Sequence, residues 1–91
     1  PVTLTLTEAP AAGCPPGAVE PWLSLDRPGR PTRGLLDDRN PPRWPACALS
    51  YEVTEVLEGP RGALAVVLRA LVLDGDAITP RWVLATARLS P

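Results

Sequence analysis

The sequence predicts an all-β protein: five short strands in a partly closed barrel or a small sandwich, ending in a three-stranded antiparallel meander. Three observations carry this expectation. Apolar and polar residues alternate with period 2 in several short runs, most strictly in Val-Thr-Leu-Thr-Leu-Thr at 2–7. Clusters of Gly, Pro and Asp separate those runs. Ten of the 13 prolines lie in residues 1–45, where each removes an amide donor and pushes its predecessor out of the helical region.

The first strand is expected at Val2–Thr7, with Val2, Leu4 and Leu6 on one face and three threonines on the other. Trp22–Leu25 forms the second, bounded by Pro21 and a turn at Asp26–Gly29. Between Pro10 and Pro45 no helix of ordinary length fits, apart from one turn near Gly34–Asp38. Residues 1–46 therefore read as Pro-rich loops and edge strands. Trp22, Leu23, Leu25, Leu35, Leu36 and Trp44 supply apolar anchors, so this half is not simply disordered.

The second half, 47–91, reads as the meander. Cys47–Leu57 opens with Leu49, Tyr51 and Val53 inward and Ser50, Glu52 and Thr54 outward. Its phase slips near Glu55, which a β-bulge would repair. Without that bulge, Glu52 and Glu55 fall on opposite faces. Ala63–Leu73 follows the turn Gly59-Pro60-Arg61-Gly62. Leu64, Val67, Leu68, Leu71 and Val72 also fit helical spacing. Three valines and the hairpin signal Asp74-Gly75 favour a strand. Apolar residues on both sides make it a central strand covered on both faces. Trp82–Leu89 is the last strand, after a turn at Asp74–Pro80. Arg69 is the one charge within Ala63–Leu73, so it is expected to pair with a carboxylate or to reach the sheet margin.

Composition narrows the chemistry. A chain of 91 residues is one modest domain, burying roughly 60–65% of its unfolded surface. No apolar run approaches the ~20 residues of a membrane-spanning helix. The net charge of −1 offers no basic excess for nucleic acid. There is no histidine, which removes the commonest general base and metal ligand. Lysine is also absent while arginine occurs nine times, a usage that a GC-rich genome explains. Ala11-Ala12-Gly13-Cys14 looks like a lipoprotein cleavage box but lacks the apolar stretch before it.

Three features invite a role. Cys14 and Cys47 bracket mostly irregular chain, and a disulfide between them is expected to stabilise the fold by about 4 kcal/mol. That bond implies a secreted or periplasmic setting, against the alternative of free cytoplasmic thiols. Arg27, Arg30, Arg33, Arg39 and Arg43 face only Asp37 and Asp38, a local charge of +3 against −4 for the remaining chain. Arginine makes forked bonds to carboxylates and phosphates, so this proline-stiffened stretch suits an acidic partner, although a solvated loop explains it too. Pro-Arg-Trp occurs at 42–44 and 80–82, which in a meander puts Trp44 and Trp82 at one end of the sheet. There they form a recognition patch or, more simply, a lid on the core.

No serine or cysteine nucleophile has a base partner, and no glycine motif cradles phosphate. No cofactor and no metal are expected. The sequence thus reads as a non-catalytic interaction or structural module, inhibitor-like in one version, docking a protein or anionic polymer through residues 27–44 with Trp82. The alternative is a small-barrel binder of single-stranded nucleic acid, stacking bases on tryptophans beside the arginines.

Overall fold

The computed structural model describes residues 3–31, 33–34 and 44–88, with the backbone alone at Arg33. Six strands run in the order β1 (Thr3–Pro10), β2 (Val19–Asp26), β3 (Arg33–Gly34), β4 (Ala48–Glu58), β5 (Ala63–Asp74) and β6 (Ala77–Arg88). They form two antiparallel sheets, β1-β2-β3 and β4-β5-β6. The all-β class and the C-terminal meander are as the alternation dictates, and Leu64–Leu71 is strand throughout. The barrel alternative is not: among the described residues no ladder joins the two sheets, which instead pack face to face like an open sandwich.

The core lies between the sheets. Leu23 and Leu25 of β2 meet Leu64, Val66 and Leu68 of β5 and Val83 and Ala85 of β6, all buried. Burying one such leucine stabilises by roughly 1.5–3 kcal/mol. Leu4 and Leu6 close over this cluster from β1, as the period-2 pattern of that strand requires. Val2 lies outside the described residues. A second cluster of Ala48, Tyr51 and Ala70 continues the core toward the start of β4.

Several expectations need correction, each for a physical reason. The first two strands are longer than the prolines suggest: β2 runs through Pro21, opposite Glu8. Among the described residues β3 pairs β2 only at Ser24 and Leu25, leaving the edge of β2 at Pro21 unpaired there, where a missing donor is tolerated. The turn expected over Asp74–Pro80 is two residues, Gly75-Asp76, with Asp74 opposite Ala77. Gly75 has φ +63°, which a tight hairpin demands of its first central residue. β6 then carries Pro80 inside it, permitted because β6 is the sheet edge. Gly34 belongs to a strand rather than to a helical turn. Residues 35–38 of that expected turn, and Leu89, fall outside the described residues.

The bulge near Glu55 is present, between Val53 and Glu55. A second lies between Ala48 and Ser50, so Ala48 rather than Leu49 joins Tyr51 on the inner face. β5 is central, but it is covered on one face only. Leu64, Val66, Leu68 and Ala70 are buried, whereas Val67, Arg69 and Leu71 are half-buried and Leu73 is 52% exposed.

The loop 11–18 joins β1 to β2, and its Cys14 is bonded to Cys47 at the entry to β4, with Cα atoms 5.4 Å apart. The bond ties the first sheet to the second at one end. Cys47 takes φ +56°, an uncommon left-handed conformation for a residue with a side chain.

Candidate functional site

The face of the meander turned away from the core carries large apolar side chains. Alternation along β6 sends Val83 and Ala85 inward and Ile78, Trp82 and Leu84 outward, where they are 61%, 65% and 58% exposed. Register then sets their neighbours. Leu73 lies opposite Ile78, Leu71 opposite Pro80, Arg69 opposite Trp82 and Val67 opposite Leu84. Leu57, 49% exposed, extends the stripe onto β4 beside Ala65. A monomer rarely leaves so continuous an apolar stripe in water without a use for it.

One ion pair interrupts the stripe. Arg69 Nη2 donates to Glu52 Oε2 at 2.8 Å from the directly opposed position on β4. The expected carboxylate partner of Arg69 is thus Glu52. The bulge at Thr54 also brings Glu55 onto this face, opposite Val67, so Glu52 and Glu55 are on one side. Arg69 Nε, by contrast, is buried and has no hydrogen-bond partner among the described residues.

At the disulfide end lies a second feature, a cleft of about 480 Å³ bordered by Cys14, Pro21, Trp22, Trp44 and Tyr51. Trp44 and Tyr51 meet edge to face, with ring centroids 5.4 Å apart. The Tyr51 hydroxyl donates to the Pro45 carbonyl at 3.5 Å, and the Tyr51 backbone N–H donates to Glu8 Oε1 at 3.2 Å. Burial, aided by the nearby Glu8 carboxylate, raises the Tyr51 phenol above its usual range. These contacts make Tyr51 a clasp between β1, β4 and the chain entering β4.

Only some of the residues singled out from sequence are among the described ones. Cys14 and Cys47 are bonded. Arg30 is exposed in the turn after β2, where its N–H donates to the Arg27 carbonyl at 3.1 Å; Arg27 itself is half-buried. Arg33 pairs through its backbone with Leu25, while Arg39 and Arg43 lie outside the described residues. Trp44 and Trp82 line one shared cleft beside Pro45 and Arg81, at the same end of the sheet. Their roles differ: Trp44 is a lid packed on both core clusters, but Trp82 points outward, 65% exposed, and is packed on neither.

Leu73, Ile78 and Leu84 were not among the expected contact residues. For Ile78 and Leu84 the signal was the even-numbered series Ile78, Pro80, Trp82 and Leu84, more apolar than the odd series Thr79, Arg81, Val83 and Ala85. Reading β5 as covered on both faces hid it. Among the described residues no three His, Cys, Asp or Glu side chains converge as metal ligands, and no helix is long and apolar enough to cross a membrane. Compared with known protein families, curated proteins and solved structures, the chain matches none.

Proposed function

We propose that this chain is a non-catalytic interaction module that docks a protein through the outer face of β4-β5-β6. The carrying observation is that Leu73, Ile78, Trp82 and Leu84 stand 52–65% exposed on a sheet whose other face supplies the core residues Leu64, Val66, Leu68, Val83 and Ala85. Burying one such side chain at an interface contributes roughly 1.5–3 kcal/mol before the costs of association. The Arg69–Glu52 pair gives the apolar surface a fixed polar mark for register.

The Cys14–Cys47 bond supports an extracytoplasmic setting, where disulfides persist. The arginine stretch 27–44 remains a candidate second contact for an anionic partner, as its local charge of +3 suggests. Protein is favoured over single-stranded nucleic acid, because this face carries Glu52 and Glu55 against Arg69 and Arg88 and so has no basic excess.

A photo-crosslinking residue at position 84, with one at exposed Thr5 as control, tests the reading in the native host. A discrete protein adduct from position 84, lost on Trp82→Ser and absent from position 5, is expected. Equal labelling from both positions would sink it.

A further inference from the structure

The two sheets do not meet evenly along their edges. Among the described residues β1 and β4 are both edge strands, each hydrogen-bonded to a neighbour on one side only. At one end they are held together, where Glu8 Oε1 takes the Tyr51 N–H from the free side of β4. At the other they part around an apolar cleft of about 440 Å³, lined by Leu4, Leu25, Val56, Glu58 and Leu64. Val56 lies opposite Val66, a core residue, and so faces inward, yet it is 44% exposed. An inward-facing valine left in water marks a place where no strand of the described residues covers the sandwich.

We propose that this seam accepts one extended segment of a partner, added to the free edge of β4 along residues 53–58. Its alternate apolar side chains drop between Leu4 and Val56, and its remaining positions are basic. Three observations select that occupant. A strand edge offers unpaired backbone groups, which only an extended backbone satisfies in series. Leucine and valine supply four of the five residues lining the cleft beside that edge, with Glu58 the fifth, so the side chains of the incoming strand that enter it must be apolar. The two facing strands carry Glu8, Glu52, Glu55 and Glu58 and no basic residue, so the rim complements a cationic segment. Glu52 is already paired with Arg69, which leaves the acids nearest the open end, Glu55 and Glu58, as the main contacts. Glu8 at Tyr51 stops the added strand from running further. The apolar part of the seam is separate from the outer face, because Val56 points to the core side and Trp82 away from it; Glu55, on the outer face, borders both.

The test uses the oxidised chain and three synthetic eight-residue probes: alternating Val-Lys, alternating Val-Glu, and Val-Lys with a central proline. Binding is read by amide chemical shifts and hydrogen exchange. The expected result is that the Val-Lys probe shifts Leu4 and Val56 and slows exchange along 53–58, while the other two probes bind at least tenfold more weakly. Val56→Arg should abolish binding. Glu55→Gln with Glu58→Gln, both at exposed positions, should weaken it several-fold without disturbing the fold. Trp82→Ser should leave it unchanged. The proposal is overturned if the Val-Lys probe does not bind, if Val-Glu binds equally, or if Trp82→Ser removes binding. It is also overturned if protection of 53–58 grows with protein concentration without probe, since the occupant is then a second copy of this chain.

Discussion

The ring of Trp22 occupies the space that a side chain at position 34 would need: a Cβ on Gly34 would stand 2.7 Å from Trp22 Cζ2. Trp22 projects from the outer face of β2 and lies across the short β3, whose Gly34 is paired with Ser24. The glycine is therefore required by close approach of an aromatic ring.

Gly34→Ala is expected to displace that ring at a cost of about 1 kcal/mol, small because Trp22 is half exposed and can yield. In a Trp22→Ala background the same change should cost nearly nothing. A denaturant double-mutant cycle measures the coupling, and strict additivity would show that the contact does not matter.

Reducing the Cys14–Cys47 bond should lower stability by up to about 4 kcal/mol, the loop-closure estimate for its span. The clasp at Tyr51 should loosen first, because Cys47 enters β4 only four residues before it. Hydrogen exchange after reduction should show lost protection in 11–18 and 47–51 while β5 and β6 stay protected. Uniform loss across the meander would contradict the assigned role of the bond.

Tyr51 should titrate above pH 10, the direction set by burial and then by Glu8. The unfolded chain releases this proton first, so between pH 10 and the higher folded value the native state binds more protons than the unfolded one. Stability from this group is thus fully present below pH 10 and is lost as pH rises through the folded pKa. Phenolate absorbance during an alkaline titration checks it, and Glu8→Gln should move the midpoint part of the way back.

Leu68→Ala and Leu84→Thr should differ sharply. Leu68 has no exposure and its truncation is expected to cost 2–5 kcal/mol, the usual range for a buried leucine. Leu84 is 58% exposed, and its replacement should stay within about 0.5 kcal/mol while reducing dye binding to exposed apolar surface. Chemical denaturation of both variants, with a fluorescent apolar dye, decides whether the two faces of the meander have the roles assigned to them.

Arg69→Leu should barely change stability, since an exposed pair such as Arg69–Glu52 contributes about 0–1 kcal/mol. It should, however, promote self-association, because it removes the one cation on an otherwise apolar strand face. Sedimentation over a concentration series measures this, and an unchanged monomer would deny Arg69 a guarding role.

Much of the fold was legible because its signals are local. The alternation in 2–7, the turns at Gly59–Gly62 and Asp74-Gly75, the slipped phase at Glu55 and the need of Arg69 for a carboxylate all depend on neighbours in sequence. The pairing of the two cysteines was open to inference because no competitor thiol exists. The second bulge at Leu49 left no comparable mark, since Ala48 and Leu49 are both apolar and either fits the inner face.

The candidate site was legible only in part, and the reason is geometric. Period 2 divides a strand into two faces but does not say which face finds a cover; on β5 and β6 both series are mainly apolar, with Arg69, Arg81 and Arg88 among them. Eight-residue strands at roughly 3.3 Å per residue span about 26 Å, against about 40 Å for the twelve-residue strands β5 and β6. One small sheet can shield one side of the meander, and not all of that. The sequence alone determined an all-β chain, its meander and its disulfide. Only tertiary packing decided that Trp44 closes the core while Trp82 faces outward, and that Val56 is left at an open seam. Coverage depends on the size and placement of the opposing sheet, which no strand encodes in its own residues.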